Sequence, residues 1–280
     1  MKKIILFLMM AISSTTIFAQ PQMAACCTPV ATEKFALLAS DNSFVMSHEA
    51  PLPFVYRSES GQDITFKAAD GTDAHGWMVK ASKATDYYLF VIHEWWGLND
   101  YIKQESEKLG NELGVNVIAL DLYDKKVATT PDEARTIMQS VKTERATNII
   151  KGAYTYAGSK AKVFTIGWCF GGGWSLQTAL LGGSQVLGCV MFYGMPEADV
   201  NKLKTLHSDV IGFFANKDGF ITPKIVDEFK EHMKEADKKL TVYQYDAEHG
   251  FANPSNPHFD KDATADSHAK AVAFIKERMK

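Results

Sequence analysis

Six short apolar runs alternating with helix-like stretches constrain this chain more than any other feature. Residues 87–92, 115–120, 162–166, 186–193, 210–215 and 241–245 read as strands, most of them apolar throughout, as in strands covered on both faces. Helical patterns fall over 99–113, 172–181, 222–236 and 266–279, and a long helix opens at Pro131, where proline suits the first turn. In the last of these His268, Val272, Ile275 and Met279 share one face. Ahead of them, residues 64–68 and 75–79 alternate like an opening strand pair. Strands alternating with helices require crossover connections, so the expected class is α/β, a mostly parallel sheet with helices on both faces.

A chain of 280 residues, 46% hydrophobic, can bury one sizeable core, placed here over residues 62–280. Residues 20–61 show no sustained period and contain Pro29, Pro51 and Pro53, the pattern of an extended arm lying on the domain. Residues 1–19 read differently. Met1-Lys2-Lys3 precedes an apolar segment ending near Ala19, which matches a signal peptide and predicts export to the periplasm or beyond, with no membrane span after its removal. Lipid attachment at Cys26 is the alternative fate of that end. The net charge of −3, spread without runs of one sign, argues against nucleic acid or an anionic membrane as partner. A monomer acting on a small molecule is expected. The four cysteines, Cys26, Cys27, Cys169 and Cys189, are not a disulfide framework, and Cys189 falls inside an apolar strand as a core thiol.

In a parallel sheet the chemistry gathers at the carboxyl ends of the strands. Four loops there carry reactive residues. Gly167-Trp168-Cys169-Phe170-Gly171 turns from strand to helix, with glycines two before and two after a nucleophile, as a strained elbow needs. The N–H of Phe170, at the helix start, favours negative charge on the sulfur or on an oxyanion. Asp218 follows the strand 210–215 and can orient a histidine, although a turn aspartate has the same signature. His249 follows the strand 241–245, beside Gly250. The order nucleophile, acid, histidine is that of hydrolases with an elbow. The fourth loop, His93-Glu94-Trp95-Trp96-Gly97-Leu98-Asn99, lacks the second histidine of a zinc helix, and Trp95 is the candidate for a second oxyanion N–H.

Together, the Glu94 loop, Asp121-Leu122-Tyr123, the Gly-Trp-Cys-Phe-Gly-Gly elbow, Asp218 and Glu248-His249-Gly250-Phe251 resemble the dienelactone hydrolase family of the α/β-hydrolase fold, over roughly residues 63–280. The resemblance implies that Cys169 attacks an ester or lactone carbonyl, His249 serves as base, Asp218 orients it, and Glu94 contacts the resting thiol. No metal or organic cofactor is expected. Tyr123, Trp96 and Phe251 are the expected substrate-binding residues. The arginines that hold a substrate carboxylate in the family are missing: their neighbourhoods read Asp124-Lys125-Lys126 and Gly250-Phe251-Ala252-Asn253-Pro254, and lysine lacks the bidentate fork. A neutral or more apolar ester fits better. The competing reading is an exported binding protein that kept the scaffold without turnover. A thiol redox role has no Cys-x-x-Cys to support it.

Overall fold

The computed structural model describes residues 31–280. The expected leader, with Cys26 and Cys27, lies outside the described residues. Eight strands form one sheet: β1 (Gly61–Lys67), β2 (Asp73–Val79), β3 (Tyr87–Ile92), β4 (Asn116–Asp121), β5 (Lys162–Trp168), β6 (Val186–Phe192), β7 (Asp209–Ala215) and β8 (Leu240–Tyr245). Their spatial order is β1-β2-β4-β3-β5-β6-β7-β8. The β1–β2 hairpin joins β4 antiparallel, and every later pairing is parallel. The sheet thus has the mostly parallel α/β layout that its apolar runs imply.

The chain moves from β3 out to β4, then returns across β3 to begin β5. The carboxyl ends of β3 and β5 therefore flank a switch point, where loops diverge and leave a crevice. Both the Glu94 loop and the Cys169 elbow leave the sheet there.

The helices are set by local chemistry. In α3 (Asp100–Leu113) the Asn99 side chain accepts from the Ile102 N–H, and Gly114 ends the helix at φ 68°. After the short α7 (Val200–Leu203), Thr222 caps α8 (Pro223–Glu235) and Pro223 occupies its first turn. The stretch expected as one long helix from Pro131 is two, α4 (Pro131–Ser140) and α5 (Thr143–Ala157), with Val141 extended between them. Each half buries a different face: α5 packs on the sheet and on α6 (Phe170–Gly182), whereas α4 packs on the N-terminal helices. One straight helix could not do both.

Residues 31–60 are not a simple extended arm. They contain α1 (Ala31–Leu38) and α2 (Asn42–Met46), and only the stretch after them is irregular. Phe35 and Phe44 are fully buried against each other, 5.7 Å between ring centroids. α1 lies on α6, which explains why α6 is apolar on nearly every side. Further on, the Tyr56 and Ser60 hydroxyls each donate to Glu107 of α3 at 2.7 Å, fixing the segment to the domain. Beyond β8, α9 (Lys261–Arg278) starts five residues before the expected point because Asp260 caps it. Among the described residues no helix is long and apolar enough to cross a membrane.

Candidate active site

Cys169 stands between the end of β5 and the first residue of α6 at φ 56°, ψ −118°, a conformation a non-glycine residue adopts only under constraint. The constraint is visible in the glycines. A Cβ on Gly167 would overlap the Gly171 carbonyl, and one on Gly171 would overlap the carbonyls of Ile92 and His93. The elbow is therefore clamped between two backbones, and only glycine permits that approach.

His249 joins the elbow to Asp218. Its Nδ1 lies 2.7 Å from Asp218 Oδ2, and its Nε2 lies 3.4 Å from Cys169 Sγ. The carboxylate can only accept, so Nδ1 carries the proton and Nε2 faces the sulfur. The other Asp218 oxygen accepts the N–H groups of Phe220 and Ile221, at 2.8 and 2.9 Å. Burial works to raise the Asp218 pKa, but the His249 charge and these hydrogen bonds hold it below the ordinary value. Burial likewise opposes charge on His249, yet Asp218 lifts its pKa well above that of free imidazole. The Cys169 thiol is pushed up by burial, against the pull of His249.

The Phe170 N–H points at the sulfur and lowers its pKa in part. Neither Phe170 nor Trp95 gives its backbone N–H to a loop or turn carbonyl among the described residues.

Glu94 is buried in the site but does not touch the thiol. Tyr193 donates to one carboxylate oxygen at 3.3 Å, and Asn253 donates to the other. Burial raises its pKa to about 7, against the pull of His249 and of these two donors. The expected glutamate–thiol contact is thus replaced by donors that draw the carboxylate aside. The second side chain at Sγ is instead His48, with Nε2 at 3.9 Å. The histidine arrives from the N-terminal segment, where nothing in the sequence pattern marks a site. Its ring is wedged between Phe44 and Trp95, at centroid distances of 4.4 and 4.5 Å.

The expected substrate-binding residues divide. Tyr123 packs on Phe170 and His93, and its buried hydroxyl has no hydrogen-bond partner. It is 3% exposed, closed off from solvent among these rings. Trp96 packs on Trp95 within the same loop. Phe251 is core: fully buried, it packs on Tyr193 and Tyr245 behind His249. Cys189 is core too, buried in β6 beside Ser175. A cavity of about 720 Å³ adjoins the site, and Glu94, Trp168, Asn253 and Arg57 are among the residues that line it. Cys169, 2% exposed, does not line it.

A family model described as "Dienelactone hydrolase family" matches residues 76–279. The chain belongs to the dienelactone hydrolase family. As a member it is a carboxylic ester or lactone hydrolase. Among curated relatives, "Protein usf" of Aquifex pyrophilus is 29% identical over 203 residues, covering 68% of this chain and 87% of that protein. The "Carboxymethylenebutenolidase" of Pseudomonas sp. strain P51 is 25% identical over 206 residues, covering 69% and 84%. A solved dienelactone hydrolase-like promiscuous phosphotriesterase from metagenomic libraries shares the fold, with a TM-score of 0.67 at 20% identity, over 78% of this chain and 99% of the other. Residues 31–75, which carry His48, precede the family match.

Proposed function

We propose that this hydrolase works through Cys169, His249 and Asp218 by way of an acyl-thioester. The observation that carries the reading is His249, hydrogen-bonded to Asp218 at Nδ1 and facing Cys169 at Nε2. Sγ adds to the substrate carbonyl as its proton passes to His249, and the oxyanion accepts the Phe170 and Trp95 N–H groups. Collapse of the adduct breaks the acyl–oxygen bond, and the leaving oxygen takes the proton from His249. A water, deprotonated by His249, then adds to the thioester; the carboxylic acid departs and Sγ regains its proton. In a lactone the leaving hydroxyl stays attached to the acyl chain.

The absence of arginine from residues 250–254 and 124–126 supports a neutral or apolar ester over a carboxylate-bearing one. The lysine start and apolar run of residues 1–18 support export.

Cys169→Ala tests the mechanism. It should abolish hydrolysis of a chromogenic ester with the circular dichroism spectrum unchanged. Wild-type protein quenched during turnover should carry the acyl mass on the Cys169 peptide. Retained hydrolysis by the variant would refute the nucleophile, and an inactive wild type would favour the binding-protein reading.

A further inference from the structure

Two imidazole nitrogens converge on one sulfur. His249 Nε2 is 3.4 Å from Cys169 Sγ, and His48 Nε2 is 3.9 Å from it. All three donor atoms lie within 4.8 Å of one another, and all three residues are buried. The protonation of His48 follows from its other nitrogen. Nδ1 lies 2.6 Å from the Phe44 carbonyl oxygen, which has no proton to give, so Nδ1 carries the ring hydrogen and Nε2 is a bare lone pair. That lone pair sits in an apolar collar of Phe44 and Trp95, and its partner is a thiol already facing His249. A buried acceptor without a good donor is costly.

The outer hydrogen bonds repeat the same arrangement. Each histidine is held at Nδ1 by an oxygen, Phe44 O for His48 and Asp218 Oδ2 for His249, leaving Nε2 aimed inward. Metal-bound histidines are oriented in this way. The spacing also fits. Zinc–sulfur and zinc–nitrogen bonds of about 2.3 and 2.0 Å at a tetrahedral angle put the two donors about 3.5 Å apart. The two distances of 3.4 and 3.9 Å lie close to that separation.

We propose that His48, Cys169 and His249 form a three-ligand site for one thiophilic divalent cation of the zinc class. Binding is ligand exchange with no redox change. The proton shared between Sγ and His249 Nε2 leaves to solvent, sulfur and the two Nε2 lone pairs bond to the cation, and a water completes a fourth position. An occupied site removes nucleophile and base together, so the cation is an inhibitor that also staples the N-terminal segment over the elbow. The inhibitory consequence rests on the catalytic reading above, whereas the ligation does not.

The test uses the full chain in a Cys26→Ser/Cys27→Ser background, so that Cys169 and Cys189 are its only thiols. Titration of the apo protein with Co²⁺ should produce a sulfur-to-cobalt charge-transfer band saturating at one equivalent. Cys169→Ser should abolish the band, and His48→Ala should weaken binding at least tenfold. The Zn²⁺ concentration that halves ester hydrolysis should rise at least tenfold in His48→Ala, each protein compared with its own metal-free rate. His48→Gln, which keeps the side chain's bulk, serves if the alanine variant fails to fold. No band in the parent protein would overturn the site, as would a His48 variant that binds and is inhibited like the parent. A band in a protein without esterase activity would leave the site standing and refute the catalytic reading instead.

Discussion

Asn253 donates its side-chain N–H to the Glu94 carboxylate, linking the loop of His249 to the turn after β3. With Tyr193 on the other oxygen, this bond holds Glu94 within the site but away from Sγ. Glu94 therefore shapes the charge around the Cys169–His249 pair without bonding to the thiol.

The same burial makes Glu94 a pH-dependent element of stability. Its pKa is 4.5 in a free chain and about 7 here. Between those values the folded protein keeps a proton that the unfolded chain has released. Stability is therefore fully present below pH 4.5 and is lost as pH rises toward 7. Urea unfolding across that window should show a smaller decline for Glu94→Gln than for wild type. Parallel pH profiles for the two proteins would contradict the assignment.

Asp218→Asn should reduce kcat by roughly 10⁴-fold with little loss of stability. The backbone N–H groups of Phe220 and Ile221 demand an oxygen at one position of the side chain. An asparagine satisfying them turns its NH₂ toward His249 Nδ1, which must then accept. The proton moves to Nε2, the nitrogen that should take it from Cys169. Steady-state kinetics beside thermal unfolding would check both halves, and an active variant would show that His249 needs no such orientation.

Much of this was legible in the amino-acid sequence because chemistry and local geometry coincide there. The elbow is written in Gly167 and Gly171, which approach backbone atoms directly, and the order Cys169, Asp218, His249 follows strand ends that apolar runs reveal. What stayed hidden depends on contacts distant in sequence. Val141 breaks the α4–α5 stretch because two packing partners lie in different directions, which no local period encodes. Phe251 looked like a binding aromatic by its nearness to His249, yet its side chain points into the core. His48 is 121 positions from Cys169 and lies in a proline-containing stretch without period. That the segment packs rather than trails shows only in the structure, where Phe35, Phe44 and Val45 before it are buried.

The elbow itself should tolerate almost no added volume. A methyl on Gly171 meets two carbonyl oxygens of the sheet, and backbone cannot turn aside as a side chain could. Gly171→Ala should therefore cost about 3 kcal/mol or more in urea unfolding, at the upper end of overpacking penalties. Gly71→Ala offers the contrast. A Cβ there meets nothing within 4 Å, so its cost is limited to the strain of φ 81°. Equal losses from the two substitutions would mean that close approach is not what the elbow glycine serves.

Phe44 is the residue that seats the N-terminal segment beside Cys169. Fully buried, it packs on Phe35, Trp95, Phe220 and the His48 ring. Removing a buried phenylalanine costs about 3 kcal/mol or more. The segment's own hold on the domain is local, so the loss should fall mainly on its release rather than on global unfolding. Cys169 is only 2% exposed and can be alkylated only when the cover lifts. About 3 kcal/mol spent on that opening should speed modification of Cys169 roughly a hundredfold in Phe44→Ala. Mass spectrometry of iodoacetamide-treated protein reads this directly, with Cys189, buried in β6, as the internal control. Faster labelling of Cys169 alone identifies the segment as the cover. Equal acceleration at both thiols would mean that the whole domain opens, and no acceleration at Cys169 would mean that another element shields it.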